Sequence, residues 1–332
     1  MRDKTFDILK GLAIILVIIG HCDIGRLHPF IDSFHMPLFF FITGVFLKKR
    51  SLIEEIQISA KKIFIPYLFV VCCICIVELF MGFARGPFCI SEFLQLMTKY
   101  LLCVRGDHSP EWLIGDIGIL WFLPALFWGR NLVLLLINNV KSTKIQCALV
   151  AFFVFLGMLL HKYVFVPYCI PQGFFATGFI YIGFMTNFLD LLNSTKIKRI
   201  LPVLIFLWIY SSSQGGLSMV CCWFSTECIS GTLGAYGVFF ALYLAVKRFS
   251  IKGRGFLNAI SFLGRVCLVI YCVHAIEINF CNWNAIAKYF VIPSEYFTLF
   301  QIPTRTAIVL MISLVLLKIK PLREKVFQIK TM

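Results

Sequence analysis

A chain of 332 residues that is 60% hydrophobic and only 14% charged is excluded from the water-soluble class, because soluble domains carry roughly 25% charged and about 45–50% apolar residues. With a mean hydropathy of +0.90, it holds more apolar surface than one water-facing fold can hide, so lipid is the solvent for most of it. The net charge of +15 does not mark a nucleic-acid binder, since Lys and Arg lie in short clusters between apolar segments rather than along one face, the pattern that orients membrane helices.

The first apolar run, 12–20, is framed by Lys10 and His21, with Asp7 just ahead. A cleaved signal shares the basic start and apolar middle, but it needs no carboxylate and usually closes on small residues. The run therefore reads as a retained helix over roughly 6–24. Further spans follow at roughly 35–48, 63–83, 116–137, 145–161, 171–190, 200–213, 231–247, 263–280 and 304–319, each near the length that crosses a bilayer or packs inside a bundle. The expected fold is all-α: a polytopic transmembrane bundle of about ten helices, forming a single domain over 1–332, multi-pass in the inner (plasma) membrane. Alternate connections hold the bulk of the basic residues, such as Lys48, Lys49 and Arg50, then Lys141 and Lys144, then Lys196, Lys198 and Arg199. The positive-inside bias then puts both termini in the cytoplasm. The longest outer connection, about 84–115, carries Asp107, His108, Glu111 and Trp112, more polar variety than a link requires.

Fourteen cysteines lie mostly within apolar segments, where Cys behaves as a small hydrophobe. Cys72 and Cys75 form an isolated C-x-x-C with no second pair and no well-spaced His, so no metal is expected. A disulfide in an outer loop, involving Cys89 or Cys103, stays open.

Ionisable groups inside apolar helices are costly and are therefore candidates for function. Lys10 and His21 are separated by close to three helical turns, so they share one face about 16 Å apart, and Asp7 lies a turn earlier on nearly the same stripe. Such a helix can hold two ends of one long ligand; a snorkelling Lys and an interfacial His are the plain alternative. In FHMPLFFFITG, His35 stands at the start of the expected second helix and can face His21 across a hairpin, imidazole being suited to proton transfer near neutral pH. In the ninth span, Tyr271, His274 and Glu277 follow at spacings of three, on one face. They line a cavity or form a hydrogen-bonded strut. Trp121 is either an interfacial anchor or a sugar platform.

DILKGLAIILVIIGH followed by FHMPLFFFITG resembles the start of the acyltransferase-3 family of integral membrane proteins, with the fucose O-acetylase-like group closest in character. KKIFIPYL (61–68), GILWFLPALF (118–127), GFFATGFIYIGFM (173–185) and SFLGRVCLVIYCVHA (261–275) resemble later family segments in the same order, covering most of the chain. The resemblance implies ten helices and transfer of an acyl group, usually acetyl, from cytoplasmic acyl-CoA as co-substrate to a carbohydrate hydroxyl of a cell-surface glycan or lipid-linked sugar. It puts the family's essential histidine on His21; His35 is a second catalytic candidate that assists, positions the substrate or simply packs at the helix entry. Lys10 stands where the family has arginine, and with Asp7 it marks the donor side. Cys267 stands where the family tends to have serine. Trp121, Tyr271, His274 and Glu277 become candidates for the acceptor side. A non-enzymatic polysaccharide exporter or flippase is the rival class, since transporters also bury ionisable residues. Acceptor choice is expected to reside in segments 84–115, 213–230 and 281–303.

Overall fold

The computed structural model describes residues 4–85, 89–105, 108–113, 115–222, 227–249 and 254–329. Among them there is no strand, and the chain folds into thirteen α-helices: α1 Lys4–Gly20, α2 His28–Val45, α3 Leu52–Arg85, α4 Ile90–Leu101, α5 Phe122–Asn139, α6 Thr143–Tyr163, α7 Ile170–Phe188, α8 Thr195–Ser213, α9 Glu227–Phe249, α10 Arg254–Arg265, α11 Cys267–Phe280, α12 Trp283–Tyr289 and α13 Phe297–Lys318. Each of the ten spans expected from hydropathy overlaps one or two of these helices.

Among the described residues, five helical stretches have the length and apolarity to cross a bilayer alone: Leu52–Ala84, Gly118–Asn139, Thr143–Tyr163, Ile229–Phe249 and Ser294–Lys318. The pair Gly255–Arg265 and Cys267–Phe280, bent by 70° at Val266, makes a sixth if it acts as one span. Of the other expected spans, α1, α2 and α7 are shorter or more polar helices at the middle of the bundle, while α8 lies at its edge and exposes Val203, Phe206 and Ile209. α1 has 17 residues, about 26 Å at 1.5 Å per residue, and buries Leu9, Ile14 and Ile18 completely. α2 contributes the buried Phe40 and Phe41, and α7 the buried Phe175 and Phe179. Protein surrounds these helices where lipid surrounds α6 and α13, so the demand for uniform apolarity is relaxed.

Four boundaries differ from the sequence expectation. α2 begins at His28, with Pro29 in its first turn, so His35 lies inside the helix and not at its start. The polar residues before His35 have tertiary partners: Ser33 Oγ accepts from Trp208 Nε1 at 2.9 Å and lies 3.1 Å from Ser212 Oγ. α3 starts at Leu52, which puts the KKIFIPYL segment mid-helix. The 84–115 connection holds α4, and the span expected at 263–280 is broken between α10 and α11. Asp107 lies outside the described residues. Cys89 and Cys103 are free thiols, the latter buried with its Sγ 3.3 Å from the Tyr67 hydroxyl.

Two pairs of glycine contacts fix α1 and α2 against their neighbours. A Cβ on Gly264 would lie 1.7 Å from the Asp7 carbonyl oxygen, and one on Gly11 would lie 2.1 Å from that of Ile260. α10 therefore presses backbone to backbone on α1. Between α2 and α7, Gly44 meets the Ile180 carbonyl and Gly183 meets that of Phe41 in the same way. Small residues permit this approach where lipid offers no hydrophobic drive for association.

Candidate active site

Two cavities meet in the middle of the bundle. The larger, about 310 Å³, is lined by Lys10, Lys62 and Arg130 together with apolar residues including Ile14, Phe39, Leu123 and Leu268. The smaller, about 100 Å³, is lined by His21, Asp32, His35, Trp121 and Ser218 among others. Val17, Met36 and Tyr271 line both. One face of α1 thus runs from Lys10 in the first cavity, past Val17 at the junction, to His21 in the second.

The ring of His21 is oriented by its own helix. Nδ1 lies 2.7 Å from the Val17 carbonyl, which can only accept, so Nδ1 carries the proton and Nε2 the lone pair. His35 repeats the arrangement one helix away, with Nδ1 donating to the Ile31 carbonyl at 2.7 Å. Gly20 brings the two together: a Cβ there would touch Asp32 Oδ1 at 3.4 Å and His35 Cε1 at 3.9 Å. Asp32 in turn holds His28 Nδ1 at 2.8 Å.

Behind His21 stands a buried polar group from α11 and α13. The His274 ring meets that of His21 edge to face, centroids 5.2 Å apart. His274 Nδ1 donates to Glu277 Oε2 at 2.9 Å, and Arg305 Nε donates to the same oxygen at 3.0 Å. Trp283 Nε1 donates to the other carboxylate oxygen, and Arg305 Nη1 donates to the backbone carbonyl of His21. Glu277 and Arg305 are 6% and 4% exposed, so this ion pair is shielded from water. α13 also grips the next turn: Gln301 Oε1 accepts from the Asp23 backbone N–H at 2.9 Å, and Thr298 Oγ1 donates to the Asp23 carbonyl at 2.6 Å.

The chain is matched over residues 3–317 by the family profile described as an acyltransferase domain. The chain belongs to the acyltransferase-3 family. A nodulation protein, NolL, of Sinorhizobium fredii is 30% identical over 196 residues, 54% of this chain and 49% of the relative. The chain therefore spans about half the length of that curated relative. No solved structure matches it.

The chain brings six of its eight sequence-predicted site residues into one connected arrangement. His21, His35, Trp121 and Tyr271 line the smaller cavity, while His274 and Glu277 back His21. Trp121 is only 3% exposed, which removes it from the lipid interface. The Tyr271 hydroxyl is engaged by the Ile119 carbonyl. Lys10 lies in the larger cavity, its Nζ 5.6 Å from the Phe46 ring centroid. Asp7 lines neither cavity; it is buried where α1 meets α10.

Sequence reasoning missed Arg305, Asp32, Arg130 and Glu55. Arg305 and Arg130 lie inside apolar spans, which is the signal that singled out the histidines. Glu55 and Asp32 give no such signal, because both stand among polar residues in the sequence. Among the described residues, no group of three His, Cys, Asp or Glu side chains gathers as a metal site.

Proposed function

We propose that this protein is a membrane O-acyltransferase that moves an acyl group, acetyl by preference, from cytoplasmic acyl-CoA to a hydroxyl of a cell-surface glycan or lipid-linked sugar. The observation that carries the proposal is the junction of a cationic cavity with a histidine-lined one along a single face of α1. The larger cavity takes the donor, its basic walls drawing the phosphates and its apolar stretch the thioester arm. The smaller cavity takes the acceptor, with Trp121 offering a flat face and Asp32 and Ser218 offering polar contacts.

His21 acts as the base. Its Nε2 takes the proton of the acceptor hydroxyl as that oxygen attacks the thioester carbonyl. The tetrahedral adduct collapses with cleavage of the carbon–sulfur bond, and the departing thiolate recovers the proton from the imidazolium. Val17 orients the ring, and Arg305 holds the backbone beneath it. His35, with the same tautomer, assists or positions the acceptor hydroxyl.

The test is transfer of labelled acetyl from acetyl-CoA by purified protein, combined with mass spectrometry of surface glycan from cells expressing each variant. His21→Ala should abolish transfer while leaving membrane insertion and detergent-purified yield intact. Retained transfer in that variant overturns the mechanism, and absence of any acetyl-CoA use by the wild type overturns the function.

A further inference from the structure

Lys10 gives the larger cavity a point charge, whereas phosphate oxygens are gripped best by a planar guanidinium fork. α5 supplies such a fork. Arg130 lines that cavity, and its side chain is held from behind by Glu55 of α3, whose Oε1 lies 2.5 Å from Arg130 Nε. Glu55 is 0% exposed, and a buried carboxylate persists only when paired.

The second partner of that carboxylate decides what Arg130 is free to do. Arg50 Nε lies 3.1 Å from Glu55 Oε2, and Arg50 does not line the cavity. Two arginines share one carboxylate, so Arg50 neutralises Glu55 and the positive charge of Arg130 is left uncompensated. Glu55 engages Arg130 only through Nε. Among the described residues, none accepts from its two Nη groups. Lys62 and Lys10 lie on the same walls, and no acidic residue does.

We propose that Arg130, oriented by Glu55 and relieved of charge cancellation by Arg50, is the guanidinium that binds a phosphate group of a phosphorylated acyl-thioester donor. It supplies the bidentate contact that Lys10 cannot. The assignment rests on the larger cavity being the donor site.

The experiment measures binding of CoA and of pantetheine, which lacks phosphates, to the full chain in nanodiscs. Wild type, Arg130→Ala and Arg130→Lys are compared, with unfolding temperature recorded for each. Arg130→Ala should weaken CoA binding about ten- to a hundredfold and leave pantetheine binding as in the wild type. Arg130→Lys keeps a charge beside Glu55, so it guards against failure to fold. It should still lose several-fold in CoA affinity because the fork is gone. CoA affinity equal to wild type in Arg130→Lys, or equal losses for CoA and pantetheine in either variant, overturns the assignment. No CoA binding by the wild type instead overturns the donor reading on which it rests.

Discussion

Glu277→Gln preserves the volume of the side chain and removes only its charge. In the wild type, Glu277 accepts from His274, Trp283 and Arg305, and the carboxylate and guanidinium are 3% and 5% exposed at their side chains. The variant leaves Arg305 charged and buried without a carboxylate counter-ion, facing only neutral groups such as the His21 carbonyl and the Trp283 ring. Orphaning one member of a buried ion pair costs about 3–5 kcal/mol. At about 2 °C per kcal/mol for a chain of this size, the unfolding temperature should fall by roughly 6–10 °C. The double variant Glu277→Gln/Arg305→Met removes the orphaned charge and should recover most of that loss, while leaving His21 without its backbone tether. Thermal unfolding of nanodisc-embedded protein, followed by intrinsic fluorescence, reads the stability, and the acetyl-transfer assay reads the site. A double variant less stable than the single one, or a single variant within about 1 °C of wild type, would show that this pair is not the buried, mutually dependent unit described.

Two further outcomes are expected. Gly264→Ala drives a methyl group against the Asp7 carbonyl, 1.7 Å from the new Cβ, and should cost about 1–3 kcal/mol as α10 is forced off α1; an unchanged unfolding temperature would contradict the close helix contact. Met36→Trp fills the junction of the two cavities and should suppress transfer while CoA still binds; normal turnover would mean that the two cavities do not communicate there.

The helical architecture was legible because apolarity over about 20 residues is a local property. The face shared by Lys10 and His21 was legible for the same reason, since helical periodicity alone puts both on one line. His35 was expected opposite His21 across a hairpin, whereas Trp121 and Tyr271 converge with His21 from segments that helical spacing does not connect to it. What stayed hidden depends on partners elsewhere in the chain. The start of α2 was obscured because Asp32 and Ser33 look like loop residues until Trp208 and Ser212 are set beside Ser33. Glu55 looks like one more solvated charge at a helix start until Arg50 and Arg130 close over it. Arg305 stands at the very start of the last expected span, 304–319, where a basic residue is ordinary. Its meaning comes from Glu277 on α11 and from the main-chain oxygen of His21, adjacent in space but at the other end of the sequence.

The residues common to both cavities carry a physiological consequence of their own. Val17 and Met36 are apolar, and the hydroxyl of Tyr271 is already engaged by the Ile119 carbonyl. A file of water needs polar partners to persist, and this neck offers none. A continuous polar path through the joined cavities would leak ions across the membrane unless something insulated its centre. The same three side chains that join the two cavities beside His21 can therefore serve as an electrical seal for the membrane that carries them.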